Sequence, residues 1–190
     1  MGGAIAALDH VMKHGGIAGN MAGGTHHAHH DFGSGYCIFN DLAVCSLLAL
    51  SKYDVTKIAV VDFDVHQGDG TATILQNVDK VLTISVHCRQ NFPFRKSESD
   101  YDLELPANAG DEEMLAMVAK ALEIAKQFDP ELILFQAGVD GLATDALGKL
   151  NISRQGMSKR NEMVFDLAIE QLIPTVVFMG GGYSDPIRHT

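Results

Sequence analysis

"KIAVVDFDVHQGDG", residues 57–70, carries two signals in one stretch. Its first half is apolar and partly β-branched with no polar alternation, the pattern of a strand covered on both faces. Its second half sets Asp62, Asp64 and His66 two residues apart. Residues two apart share a face of an extended chain, so these side chains are expected to point the same way. Two carboxylates and an imidazole crowded at a strand end repel or desolvate one another unless a cation joins them. Three protein ligands with a place left for water suit a catalytic zinc. Asp64 and His66 can supply two of them. The third must come from another strand end, where Asp145 or Asp140 is available.

Outward from this stretch, "KVLTISV" (80–86), "ELILFQA" (131–137) and "PTVVFMG" (174–180) are likewise nearly continuous in apolar character rather than alternating. Helical patterns separate them. "DEEMLAMVAKALEIAKQF" (111–128) opens with three acids, which suit a helix N-terminus. "SRQGMSKRNEMVFDLAIEQL" (153–172) starts at a capping Ser153 and stops before Pro174. "GGAIAALDHVMKHGG" and "NDLAVCSLLALSKY" read as two earlier helices, and a short one is expected after Gly70. Alternating strands and helices imply right-handed βαβ units, hence an α/β three-layer sandwich around a mostly parallel sheet. Residues 89–110 read as a long loop, a length that is often functional.

Ligands of open parallel sheets bind beyond the carboxyl ends of the strands. Here those ends read "DFDVHQGDG", "SVHC", "GVDGLATD" and "GGGY". Ordinary polar loops would explain one or two such endings, but not all four. "GGTHHAHHDFGSG" (23–35) adds four histidines within five positions. A metal-activated water needs a base, and adjacent histidines titrate in the useful range. Asp62 and Asp69 are spare carboxylates for their second ring nitrogens. A tyrosine after three glycines, Tyr183, can donate to a developing oxyanion. GxxxxGK[ST] is absent, so no nucleotide site is expected.

The chain has 190 residues, 14 basic and 24 acidic, for a formal charge of −10. No basic stripe is present to meet phosphates, so nucleic acid is not an expected partner. Three cysteines without a CxxC pair fit a reducing compartment. With no signal-peptide pattern at the start and no membrane-spanning apolar run, the expected location is the cytoplasm.

Four motifs, "GGTHHAHHDFGSGYCIFND", "DFDVHQGDGT", "GVDGLATDALGKLNIS" and "GGGYS", occur in the order seen in zinc-dependent histone deacetylases and acetylpolyamine amidohydrolases, members of the arginase–deacetylase superfamily. The chain is similar to the bacterial or class IV-like branch, in "HQGDG" and "NFPF", and the resemblance runs from about residue 1 to 185. It implies zinc held by Asp64, His66 and Asp145. It implies His27 as general base and His26 as the group that carries or relays the proton to the leaving amine. Asp62 would back His26, Asp69 would back His27, and Tyr183 would bind the scissile carbonyl. Gly35, Tyr36 and Phe92 would line a narrow substrate channel, with Phe94 the competing choice for Phe92. A structural potassium ion would take Asp62, Ser85 and the carbonyls of Asp64, His66 and Val86. His29 and His30 match no catalytic position and read as loop residues.

The implied reaction is removal of an acetyl group from acetyl-lysine or a related acetylated amine. The family's domain is usually longer, so the chain reads as one catalytic domain, 1–190, with a partial arginase–deacetylase fold, incomplete at both ends. An exposed sheet edge and homo-oligomers formed through it are expected. Two alternatives are an inactive deacetylase-like binding module and, on the same fold, a manganese ureohydrolase. The ureohydrolase would leave His26, His27 and Tyr183 unexplained.

Overall fold

A computed structural model describes residues 1–189. The six strands are β1 (Ile17–Asn20), β2 (Ile58–Asp62), β3 (Val81–Cys88), β4 (Tyr101–Leu105), β5 (Leu132–Gln136) and β6 (Thr175–Phe178). They form one sheet in the order β1-β6-β5-β2-β3-β4, and every pairing is parallel. The helices are α1 (Gly2–His14), α2 (Asp41–Lys52), α3 (Asp69–Leu75), α4 (Asp111–Phe128) and α5 (Arg154–Glu170).

Both faces of the sheet are covered, which is why its central strands carry no polar alternation. Along β2, Ala59 and Val61 face one core with Met114, Val118, Met157 and Val164 of α4 and α5. Ile58 and Val60 face the other, with Leu8 and Val11 of α1, Leu42 and Cys45 of α2, and Leu75 of α3. This is the expected three-layer α/β sandwich.

Two strands were not evident in the sequence. β4 lies inside the stretch expected to be a loop, and β1 follows the glycines that end α1. The predicted helix 153–172 is shorter, Arg154–Glu170, with Ser153 Oγ accepting from the Gly156 N–H at 3.0 Å. The expected short helix begins earlier, at Asp69, which puts that carboxylate in its first turn.

The topology decides where chemistry can sit. From β2 the chain moves through β3 to the β4 edge, then returns to the far side of β2 as β5. The strand order therefore switches between β2 and β5. A crevice opens beyond their carboxyl ends, the usual ligand position in such sheets.

Candidate metal centre

Asp64 and His66 follow β2, and Asp140 follows β5, at the two sides of the switch. His66 Nδ1 lies 3.0 Å from Asp64 Oδ1 and 3.1 Å from Asp140 Oδ2. One ligand atom from each residue fits within 4.8 Å of the others. Both carboxylates are buried, and backbone donors orient them. Asp140 Oδ1 accepts from the Val65 N–H at 2.9 Å, and Asp64 Oδ2 from the Gly181 N–H at 3.1 Å. The chain passes so close here that a Cβ on Gly138 would collide with the Asp64 carboxylate, a demand only glycine meets.

The electrostatics call for added positive charge. Burial and the neighbouring Asp64 charge push Asp140 up to about 7. Burial also opposes charge on Asp64, but His26 and His66 outweigh it and hold that carboxyl far below the usual range. Burial disfavours the His66 cation as well, yet its bonds to Asp140 and Asp64 lift it to about 10. Protons are thus drawn to a cluster of two hard oxygen donors and one imidazole. That donor set fits a divalent ion such as zinc.

Asp145, the third ligand implied by the resemblance, is not in this cluster. Its Oδ1 accepts from the backbone N–H groups of Leu147 and Gly148, both at 2.8 Å, and its Oδ2 from Tyr183 N–H at 2.6 Å. The carboxylate is spent on folding the loop between β5 and α5 and fastening it to the Tyr183 segment. Asp140, the other candidate, takes the place in the cluster because it leaves β5 directly beside β2.

Two imidazole–carboxylate pairs flank the cluster. His26 Nδ1 meets Asp62 Oδ2 at 2.6 Å, and His27 Nδ1 meets Asp69 Oδ1 at 2.6 Å. The loop that carries both histidines is tied down by residues at the start of α2. Asp41 accepts from the N–H groups of Gly24 and Thr25, at 3.0 and 2.9 Å. Asn40 caps α2 through Ala43 N–H, and its amide donates to the carbonyls of His26 and Ala28.

A cavity of about 530 Å³ opens above these groups, with His26, His27, Asp64, His66 and Asp140 in its lining. Gly35, Tyr36, Phe92, Phe94 and Tyr183 line it too. Phe92 packs edge-on to His27, ring centres 5.0 Å apart, and Phe94 lies further out, 6.4 Å from Phe92. Ser85 stands opposite Asp62 in the β2–β3 register, with its hydroxyl 2.9 Å from His87 Nδ1, and Val86 is buried in the core.

Three residues outside the sequence expectations bear on the centre. The buried Arg160 guanidinium donates to the carbonyls of Phe63, Ala137 and Gly138 at 2.6–3.0 Å. It clamps the two strand ends that carry Asp64 and Asp140. A sequence signal existed: Met157, Arg160, Val164 and Leu167 share the core-facing spacing of α5, a position where a cation has a specific job. Asn91 holds Leu147 O and Lys149 N–H and sits 3.3 Å from His66 Nε2. His29, expected to be an idle loop residue, reaches Asp69 Oδ2 at 3.2 Å.

The histone deacetylase domain family matches residues 1–189. The chain belongs to that family. It is 42% identical over 189 residues to an uncharacterized protein of Picosynechococcus sp., covering 99% of this chain and 63% of that protein. It is 34% identical over 187 residues to histone deacetylase 2 of Arabidopsis thaliana, covering 96% of this chain and 48% of the relative. Among solved structures, a histone deacetylase homologue from Aquifex aeolicus superposes with a TM-score of 0.82 at 32% identity, over 95% of this chain and 50% of that one. The chain therefore spans about half to two-thirds of the length of these relatives.

Proposed function

We propose that this chain carries the centre of a zinc-dependent deacetylase, hydrolysing the amide of acetyl-lysine or a related acetylated amine. The observation that carries the reading is the meeting of Asp64, His66 and Asp140 in a cavity floor beside two imidazole–carboxylate pairs. A divalent cation held by those three residues supplies Lewis acidity toward the amide carbonyl and the attacking water. His27, neutral because burial and the His26 charge depress it to about 4, is suited to take the proton from that water. In the metal-free protein Asp62 and Asp64 raise His26 to about 9 against the cost of burial, and its direct bond to Asp62 suits it to protonate the departing amine. Tyr183, at the cavity wall, donates to the carbonyl oxygen as negative charge develops there. Tyr36 and Phe92 flank an aliphatic stem whose methylenes pack on aromatic faces.

Potassium at Asp62, Ser85 and Val86 belongs to the same proposal, supported by the facing of Asp62 and Ser85 in the sheet. So does self-association through β1, an edge strand among the described residues. The free thiols Cys37, Cys45 and Cys88 support a reducing compartment such as the cytoplasm. Among the described residues no helix is long and apolar enough to cross a membrane.

The test is turnover of a panel of acetyl-lysine peptides and acetylated polyamines before and after chelation. Turnover that is lost on chelation and regained with stoichiometric zinc is the expected result. Folded, zinc-loaded protein that hydrolyses none of the panel overturns the reading.

A further inference from the structure

The carboxylate that supports His27 is shared. Asp69 Oδ1 meets His27 Nδ1 at 2.6 Å, and its other oxygen meets His29 Nε2 at 3.2 Å. The second ring nitrogen of His29 is also occupied, with Nδ1 lying 2.8 Å from Thr73 Oγ1. That hydroxyl in turn donates to Gly70 O at 3.1 Å. Hydrogen counting limits the arrangement. Threonine has one hydroxyl proton, and an ionised carboxylate only accepts. Because the Asp69 carboxylate only accepts, the His29 ring faces it as a donor through Nε2. Its plane is fixed by stacking on Phe32, with centres 4.3 Å apart and 17° between planes.

We infer that His29 is a positioning residue for His27: by donating to the second oxygen of Asp69 it fixes the carboxylate's rotation and divides its negative charge between two imidazoles. The inference rests on the deacetylase reading for its catalytic consequence, though not for its geometry. A more ambitious role, a proton conduit from solvent through Asp69 to His27, is not called for by the chemistry. Water and a neutral amide yield acetate and a protonated amine near neutral pH, so each turnover leaves no proton to export. What His27 needs from outside is a fixed orientation and a moderated carboxylate. A histidine with one face on Phe32 and one edge on Asp69 provides both.

Two substitutions separate the donor from the ring. His29→Phe keeps a ring that can stack on Phe32 and removes the donor. His29→Gln loses the stack and keeps an amide N–H that reaches Asp69. If His29 acts through Asp69, His29→Phe lowers kcat about 10-fold, the lower end for partners that orient site residues, with KM unchanged, while His29→Gln recovers most of the loss. The low-field proton resonance of the His27 Nδ1–H···Asp69 bond, assigned by its disappearance in His27→Ala, moves in His29→Phe and stays near the wild-type position in His29→Gln. A purely structural role gives the opposite ranking, with phenylalanine tolerated and glutamine impaired, and overturns the inference. So does an unmoved resonance in His29→Phe. Thr73→Val, which removes the outer anchor without touching the stack, shifts the same resonance in the same direction by less and guards against misfolding of the phenylalanine variant. The resonance needs no turnover. If wild-type protein hydrolyses no acetylated amine while the resonance still moves, the deacetylase reading fails and the Asp69-sharing geometry stands. If wild-type protein is active and both His29 variants match it, only the inference fails.

Discussion

His26–Asp62 and His27–Asp69 are built alike, each a 2.6 Å bond from Nδ1 to a carboxylate, with the two rings 4.1 Å apart. Their proton affinities nonetheless diverge. Both rings pay for burial. His26 more than recovers it from the charges of Asp62 and Asp64 and ends at about 9. His27 has burial and the His26 charge against it, which its Asp69 bond does not offset, and ends at about 4. The carboxylates differ in the same sense. Burial raises Asp62, whereas Asp69 is held low, against burial, by two imidazoles. A matched pair of bonds does not make a matched pair of functions. The next charge outward decides, and for His26 that charge is the cluster, with Asp64 Oδ1 3.8 Å from its Nε2. A divalent cation among Asp64, His66 and Asp140 offsets those carboxylates, so metal occupancy narrows the contrast.

The contrast can be broken most severely at the cluster. Asp140→Asn should abolish retention of zinc after dialysis and with it chelator-sensitive turnover. Asp145→Asn should keep stoichiometric metal, since among the described residues its carboxylate serves backbone N–H groups. Metal analysis of both proteins checks this, and equal loss in the two would return Asp145 to the ligand set. Next in size are the rings themselves. His27→Ala should lower kcat toward the upper end of the roughly 10²–10⁴-fold range for a lost general acid or base, and His26→Ala toward the lower end. Single-turnover kinetics that rank them the other way would exchange the two roles. Smaller again are the supporting carboxylates. Asp62→Asn and Asp69→Asn should each cost about 10–100-fold in kcat, the range for groups that orient site residues. Asp62→Asn should also weaken zinc binding in competition titrations more than Asp69→Asn does, because His26 and not His27 adjoins Asp64.

How much of this was legible beforehand follows from where each signal is stored. β2, β3, β5 and β6 announce themselves because both of their faces are buried, which leaves nearly continuous apolar runs. β1 has four residues, including a glycine and an asparagine, and β4 alternates apolar Leu103 and Leu105 with half-buried Asp102 and exposed Glu104. Edge strands face solvent on one side, and their pattern fades into that of a loop. The site residues of 26–27 and 62–69 are legible because two short segments contain them. The choice between Asp140 and Asp145 is not. Both lie in one polar loop, and only the fold of that loop turns one carboxylate to the cluster and the other to its own backbone. His29 is unreadable for a related reason. A run of histidines does not say which ring shares a carboxylate 40 residues away.

The mildest expected effect is on the stability of metal-free protein, and its sign follows from the same contrast. His26 has its folded pKa raised from 6.5 to about 9, so its pairing stabilises the fold fully below pH 6.5 and is lost as pH climbs toward 9. His66, raised to about 10, adds a loss over an overlapping window. His27 works in the other direction. With its folded pKa lowered to about 4, it costs stability only as pH falls below 6.5, where the unfolded chain binds the proton that the folded ring refuses. Urea melts of chelated protein should therefore show stability declining from pH 6.5 to 9, and His26→Gln should make that decline shallower. His27→Gln should leave the alkaline decline intact and relieve part of the loss on the acid side. If His26→Gln leaves the alkaline slope unchanged, the cluster does not hold a proton on His26. The two pairs would then be alike in charge as well as geometry, and the division of labour between them would have to come from the bound metal alone.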